Sequence, residues 1–143
     1  MSEAEFVRAY EIAGADFTNA GRASTSIKET LKHMGLPSPL IRRVAIAAYE
    51  AEMNTVMYAR RATMTLHVTP ADVTIDVRDE GPGIADIPLA MQEGYTTATA
   101  EMREMGFGAG MGLPNIKRNT DELVITSVLQ RGTTLVMTVH VNG

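Results

Sequence analysis

The chain has 143 residues, 45% of them hydrophobic and 21% charged, with a formal net charge of −4 and a pI near 5.3. That is room for one ordinary domain, 1–143, with a real core, and it offers no basic footprint for nucleic acid or an anionic membrane. With no cysteine, disulfides, thiolate metal sites and cysteine nucleophiles are excluded together, and the acidic start "MSEAEFVRAYEIAGAD" carries neither a signal peptide nor a membrane span, so a soluble, cytoplasmic protein is expected.

"EFVRAYEIAG" alternates as a first strand. "DFTNAGRASTSIKETLKHMGLP" predicts a helix with Asp16 or Thr18 as N-cap, Lys32 and His33 in its last turn, Gly35 as stop and Pro37 beyond. "SPLIRRVAIAAYEAEMNTVMYARRA" predicts the longest helix, with Ser38 as N-cap and Pro39 at the first helical position. "TMTLHVTP" and "DVTIDVRDE" are β-branched, alternate with period two and flank a Pro-Ala turn, which predicts a hairpin. From "GPGI" to "GFGAG" the chain is mostly turn-like, with a short helical piece in "ADIPLAMQEG". A last helix, "LPNIKRNTDE", leads to a second hairpin, "LVITSVL", "QRGT" and "TLVMTVHV". Strand, helices, hairpin, helix, hairpin is the order of an α+β two-layer sandwich: a mixed, mostly antiparallel sheet covered on one face by helices.

Three places carry candidate chemistry. On the long helix, at about 100° per residue, Ile46, Met53 and Met57 mark an apolar face, and Glu50 and Asn54 stack one turn apart on its border. Such a pair is either a surface pair or a site. Glu52 lies about 200° round from Glu50, so it is expected to face away and to be dispensable. Asp79 comes directly off a strand into "DEGPG", where Gly81 and Gly83 flank a proline; taken alone this is a good turn, and an aspartate there is also suited to accept a hydrogen bond from an exocyclic amine. "MGFGAGMGLPNIKR" puts four glycines into 106–112 and runs into a helix, which suits either a flexible loop or a phosphate held by the free N–H groups of a helix start. The 85–108 stretch is long for a loop in a compact domain, and 90–106 is expected to act as a mobile lid. The three histidines are dispersed and predict no metal site. No P-loop or dinucleotide-fold spacing is present.

Glu50-x-x-x-Asn54 on a helix, Asp79-x-Gly81-x-Gly83 after a strand, and Gly108-x-Gly110-x-Gly112-Leu113 opening a helix, in that order, resemble the N, G1 and G2 boxes of one superfamily. It includes gyrase, the ninety-kilodalton heat-shock chaperone, histidine kinases and mismatch-repair ATPases. Gly132-Thr133 is similar to its late Gly-Thr element. At this length the chain resembles the free-standing bacterial members, the anti-sigma factors and stressosome switch kinases, which are protein serine/threonine kinases acting on small STAS-domain proteins. It departs from the sporulation and stress anti-sigma kinases at Tyr58-Ala59, where they usually carry His-Gly.

The resemblance implies a Bergerat-type fold that uses ATP with Mg²⁺. It implies Asn54 as the one protein oxygen on the metal. It places Asp79 on the adenine amine, with Gly81 and Gly83 allowing close approach and Thr133 assisting. Gly108, Gly110, Met111, Gly112 and Leu113 would wrap the phosphates, with Arg103 as a nearby cation; Lys117 is either a second such cation or a solvated surface charge. Glu50 would act on the attacking hydroxyl. The implied partner is a STAS-domain phosphoacceptor. A sigma factor or a PP2C-type phosphatase is left open, as are a homodimer and the alternative of a nucleotide-gated binding module with little or no phosphotransfer.

Overall fold

The computed structural model describes residues 5–93 and 112–142. Five strands, β1 (Phe6–Ala13), β2 (Arg61–Val68), β3 (Asp72–Asp79), β4 (Glu122–Val128) and β5 (Gly132–His140), form one sheet. Its order is β1-β2-β3-β5-β4, and every pairing is antiparallel. The parallel component allowed by the sequence is therefore not used. Among the described residues four helices accompany the sheet: α1 (Arg22–His33), α2 (Ser38–Tyr58), α3 (Ile87–Ala90) and α4 (Gly112–Arg118).

Period-two alternation decides which face is covered. Ala62, Met64 and Leu66 of β2, Val73, Ile75 and Val77 of β3, and Leu135, Met137 and Val139 of β5 are buried on the inner face. The threonines and charged residues between them line the outer face, among them Thr63, Thr74, Asp76 and Thr138. The helices bury the inner face with Ile27 and Leu31 of α1, Leu40, Val44, Ala47, Ala48 and Ala51 of α2, and Leu113 and Ile116 of α4. The face expected from Ile46, Met53 and Met57 is not the one that meets the sheet: Ile46 and Met57 are only half-buried. The small residues Ala47, Ala48 and Ala51 pack there instead, because α2 lies flanked by α1 and α4 and is enclosed on several sides.

The helix ends follow from particular bonds. Neither Asp16 nor Thr18 caps α1; Asp16 instead holds Asn19 in a turn, and α1 begins after Gly21, whose φ is +98°. Gly35 stops α1 as expected, at φ +75°, with its N–H on the Lys32 carbonyl and that of Leu36 on the Leu31 carbonyl, a left-handed C-terminal closure. Ser38 is already helical, Pro37 occupies the cap position, and Pro39 falls in the first turn. Asp86 caps α3 through the Leu89 N–H at 3.0 Å. Helix α4 ends at Arg118, short of the expected "NTDE". The Asn119 amide and Thr120 hydroxyl turn back onto the carbonyls of Asn115 and Ile116, and Asp121 is drawn to the sheet, its N–H on Thr138 and its carboxylate on Arg43 and the His140 N–H.

Candidate active site

The register brings the ends of β3 and β5 to one level, with Asp79 beside Thr133 on the inner face. The Thr133 N–H donates to Asp79 Oδ1 at 2.9 Å, and Thr133 is itself held through its hydroxyl, 2.9 Å from Ser127 Oγ. Ser127 also accepts the Ile84 N–H at 2.7 Å, so one hydroxyl ties the turn after β3 to the β4–β5 hairpin. Burial pushes the Asp79 carboxyl above the usual carboxylate range, and the N–H groups of Thr133 and Gly81 pull it back down.

The glycines around Asp79 are required by close approach. A Cβ on Gly132, whose φ is +153°, would come 2.0 Å from the Asp79 carbonyl oxygen. A Cβ on Gly83, at φ +77°, would come 2.6 Å from the Val128 carbonyl oxygen. At Gly81 the neighbour is Ala59, whose Cα and Cβ would both stand 3.2 Å away. Ala59 has extended backbone, φ −104° and ψ 161°, so nothing in its conformation asks for glycine.

One helix connects this cluster to the other candidates. Asn54 lies on α2 five residues before Ala59, and Gly112 packs against it so closely that a Cβ there would be 3.3 Å from Asn54 Oδ1. One turn further back, Glu50 Oε2 accepts a hydrogen bond from Asn115 Nδ2 of α4 at 2.5 Å. Glu50 is also among the residues that line an open groove of about 780 Å³ between α1 and α2, with Lys28, Ile41, Arg42, Ile46 and Tyr49. Glu50 therefore belongs to both surroundings: its Oε2 is bonded to α4, and the residue borders a groove wide enough for part of another molecule.

Asn54 suits a magnesium ion. Its amide has no hydrogen-bond partner among the described residues, and its oxygen is a hard donor of the kind Mg²⁺ takes, with waters and substrate phosphates filling most of the other positions. Among the described residues no group of three or more histidines and carboxylates could hold a metal by itself. Leu113 is buried in the core beneath α4, and Lys117 is exposed. Arg103, Gly108, Gly110, Met111 and nearly all of the expected lid at 90–106 lie outside the described residues.

Glu52 lies on the side expected, turned away from Glu50, but it is not a free side chain. It is 2% exposed and accepts three backbone N–H groups at the start of α1: Gly21 and Ala23 on Oε2 at 3.0 and 3.2 Å, and Ser24 on Oε1 at 2.9 Å. Helical wheel geometry places it opposite Glu50, but the side opposite is covered by α1, which needs an anionic cap it does not supply from its own sequence. Asn115, Ser127 and Glu52 were not marked by any motif. A partner 28 residues or more away cannot be read from local spacing; the missing side-chain cap at Gly21 was the available hint.

The chain matches the family described as histidine kinase-like ATPase domain over residues 14–139. It is 31% identical to serine/threonine-protein kinase RsbT of Bacillus subtilis, over 74% of this chain and 77% of the relative. It is 30% identical to an anti-sigma F factor of Caldanaerobacter subterraneus, over 85% of this chain and 78% of the relative. An anti-sigma F factor of a Thermoanaerobacter species is also 30% identical, over 87% and 79%. No helix among the described residues is long and apolar enough to cross a membrane.

Proposed function

The chain belongs to the histidine kinase-like ATPase family, and from that premise we propose that it is an ATP-dependent protein serine/threonine kinase. It regulates transcription by partner switching, with a small STAS-domain protein as phosphoacceptor. The observation that carries the reading is the arrangement along α2. Gly81 stands against Ala59 at its C-terminal end, with the Asp79 carboxylate beside it, Asn54 meets the start of α4, and Glu50 lies furthest back, lining a groove. From Ala59 to Glu50 is about 13 Å of helix, a length suited to an extended nucleoside triphosphate.

In this reading Asp79 accepts the adenine amine, while Thr133 and Gly81 keep the carboxylate oriented through their N–H groups. Gly112 lets the α4 backbone come close to Asn54, so that the first-turn N–H groups of α4 can face phosphate oxygens. Asn54 would hold Mg²⁺, which when bound supplies charge neutralisation on the phosphates. An acceptor serine or threonine enters by the α1–α2 groove and meets Glu50. Its hydroxyl proton passes to a Glu50 carboxylate oxygen as the hydroxyl oxygen bonds to the γ-phosphorus. The bond from that phosphorus to the bridging oxygen breaks, and ADP leaves with the electron pair.

The likeness to anti-sigma F factors favours a second reading, in which the nucleotide gates the holding of a sigma factor and transfer is minor. Binding alone has no use for a carboxylate held as Glu50 is. Incubating the protein with γ-labelled ATP and each STAS-domain protein encoded in the same genome separates the two: label on a serine or threonine of one acceptor supports the kinase, and nucleotide-dependent sigma-factor binding with no label on any acceptor supports the holding module.

A further inference from the structure

We infer that Asn115 is a positioning residue that fixes the Glu50 carboxylate for its work on the acceptor hydroxyl, an inference that rests on the kinase reading. The amide does not merely touch Glu50. Asn115 Oδ1 accepts a hydrogen bond from Arg118 Nη1 at 3.0 Å, which leaves Nδ2 as the atom facing Glu50 Oε2 at 2.5 Å. Arg118 is in turn paired with Glu93. The order Glu93, Arg118, Asn115, Glu50 thus alternates acceptor and donor without a break, and it determines which way round the amide stands.

Glu50 needs such a support. A glutamate has three rotatable side-chain bonds, and a general base works only when held within hydrogen-bond reach of the proton it takes. Lys28 and Arg42 line the same groove as Glu50, and neither has an ion-pair partner among the described residues. A carboxylate freed from Asn115 could turn to either cation and leave the line of attack. The bond to Asn115 occupies one oxygen and leaves lone pairs on the other for the incoming hydroxyl. It also joins the base to the helix that begins at Gly112, against Asn54, so that base and phosphate-facing backbone are set by one rigid element.

The test uses the full chain with the STAS-domain acceptor found by the labelled-ATP experiment. Asn115→Ala and Asn115→Asp are compared with the parent and with Glu50→Ala for kcat, for KM of ATP and of the acceptor, and for the pH dependence of kcat. The expected result for Asn115→Ala is a fall in kcat approaching the 10²-fold order that a small misplacement of a catalytic group produces, with both KM values within about twofold. Asn115→Asp, which sets a like charge against Glu50, should lower kcat further and move the acid limb of its pH profile to higher pH. Two results overturn the inference: kcat within twofold of the parent in both variants, or a fall matched by an equal loss of ATP affinity and thermal stability, which would make Asn115 a support of α4 alone. If Glu50→Ala transfers phosphate normally, or the parent transfers none, the base assignment falls and takes this inference with it. If Glu50→Ala is inactive and the Asn115 variants are normal, only the inference fails.

Discussion

Glu52 on α2 holds the Ser24 N–H at the start of α1 from 28 residues away, carboxylate to amide at 2.9 Å. Two further N–H groups, of Gly21 and Ala23, end on the same side chain, so a helix start is capped by its neighbour. The same stretch of α2 presents Glu50 to the groove that α1 helps to form. The two glutamates, two residues apart, thus sit differently: one fixes the start of α1, a wall of the groove, and the other lines the groove itself.

Replacing Glu52 should therefore destabilise the fold and not the chemistry as such. Each buried N–H left without an acceptor costs about 1–3 kcal/mol, so Glu52→Ala should lose upwards of about 3 kcal/mol. Glu52→Gln, which keeps one carbonyl oxygen, should lose less. Urea unfolding of the two variants and the parent measures this, and an unchanged midpoint for Glu52→Ala would show that the cap is not made in solution.

Asp79 gives the site a pH dependence whose sign can be worked out. Burial raises its carboxyl in the nucleotide-free protein, so the folded chain takes up a proton at a pH where the unfolded chain has not. Asp79 therefore lowers stability above that value, and the cost is relieved as pH falls through it. Binding runs the other way, since only the ionised form is free to accept from an adenine amine at both oxygens. ADP affinity should be full above the raised value, should fall as pH drops through it, and should be accompanied by proton release. Asp79→Asn should bind ADP about 10- to 10²-fold more weakly at pH 7, the worth of a hydrogen bond to a charged group, and should lack this extra pH dependence. Calorimetry of both proteins from pH 7 downward, as far as both stay folded, decides it, because protonation of the nucleotide itself is common to the two.

Two left-handed glycines offer a matched pair. Gly132→Ala would set a methyl group 2.0 Å from the Asp79 carbonyl oxygen and 3.2 Å from its Oδ1, so the carboxylate must move. Gly35→Ala has the positive φ but no atom within 4 Å of the new methyl. The expected outcome is about 1–2 kcal/mol of lost stability for Gly35→Ala with normal ADP binding. Gly132→Ala should lose more stability and also lose ADP affinity, and equal calorimetric affinities for the two variants would contradict the placing of adenine at Asp79.

Much of this architecture was legible because it is written in local periods. The alternation in "DVTIDVRDE" gives both the strand and the side on which Asp79 emerges, and Gly35 marks the end of α1 by the left-handed conformation that closes it. Box spacing likewise drew attention to Glu50, Asn54 and Asp79. What stayed hidden was set by contact between distant segments. Glu52 looked dispensable on a helical wheel because the wheel does not know that α1 lies across it. Asn115 sits in "LPNIK" with nothing local to single it out; its meaning comes from Glu50, 65 residues earlier. Ser127, an ordinary strand serine in sequence, becomes a junction only when Ile84 and Thr133 converge on it.

The most direct measurement of the central claim is phosphate transfer from γ-labelled ATP to a STAS-domain acceptor by the parent chain and by Glu50→Ala, with ADP affinity measured alongside. The account predicts a labelled serine or threonine on the acceptor with the parent. Glu50→Ala should bind ADP as the parent does and lose at least the about 10²–10⁴-fold that a general base supplies. Transfer by Glu50→Ala at the parent's rate, with ADP binding intact, would contradict it.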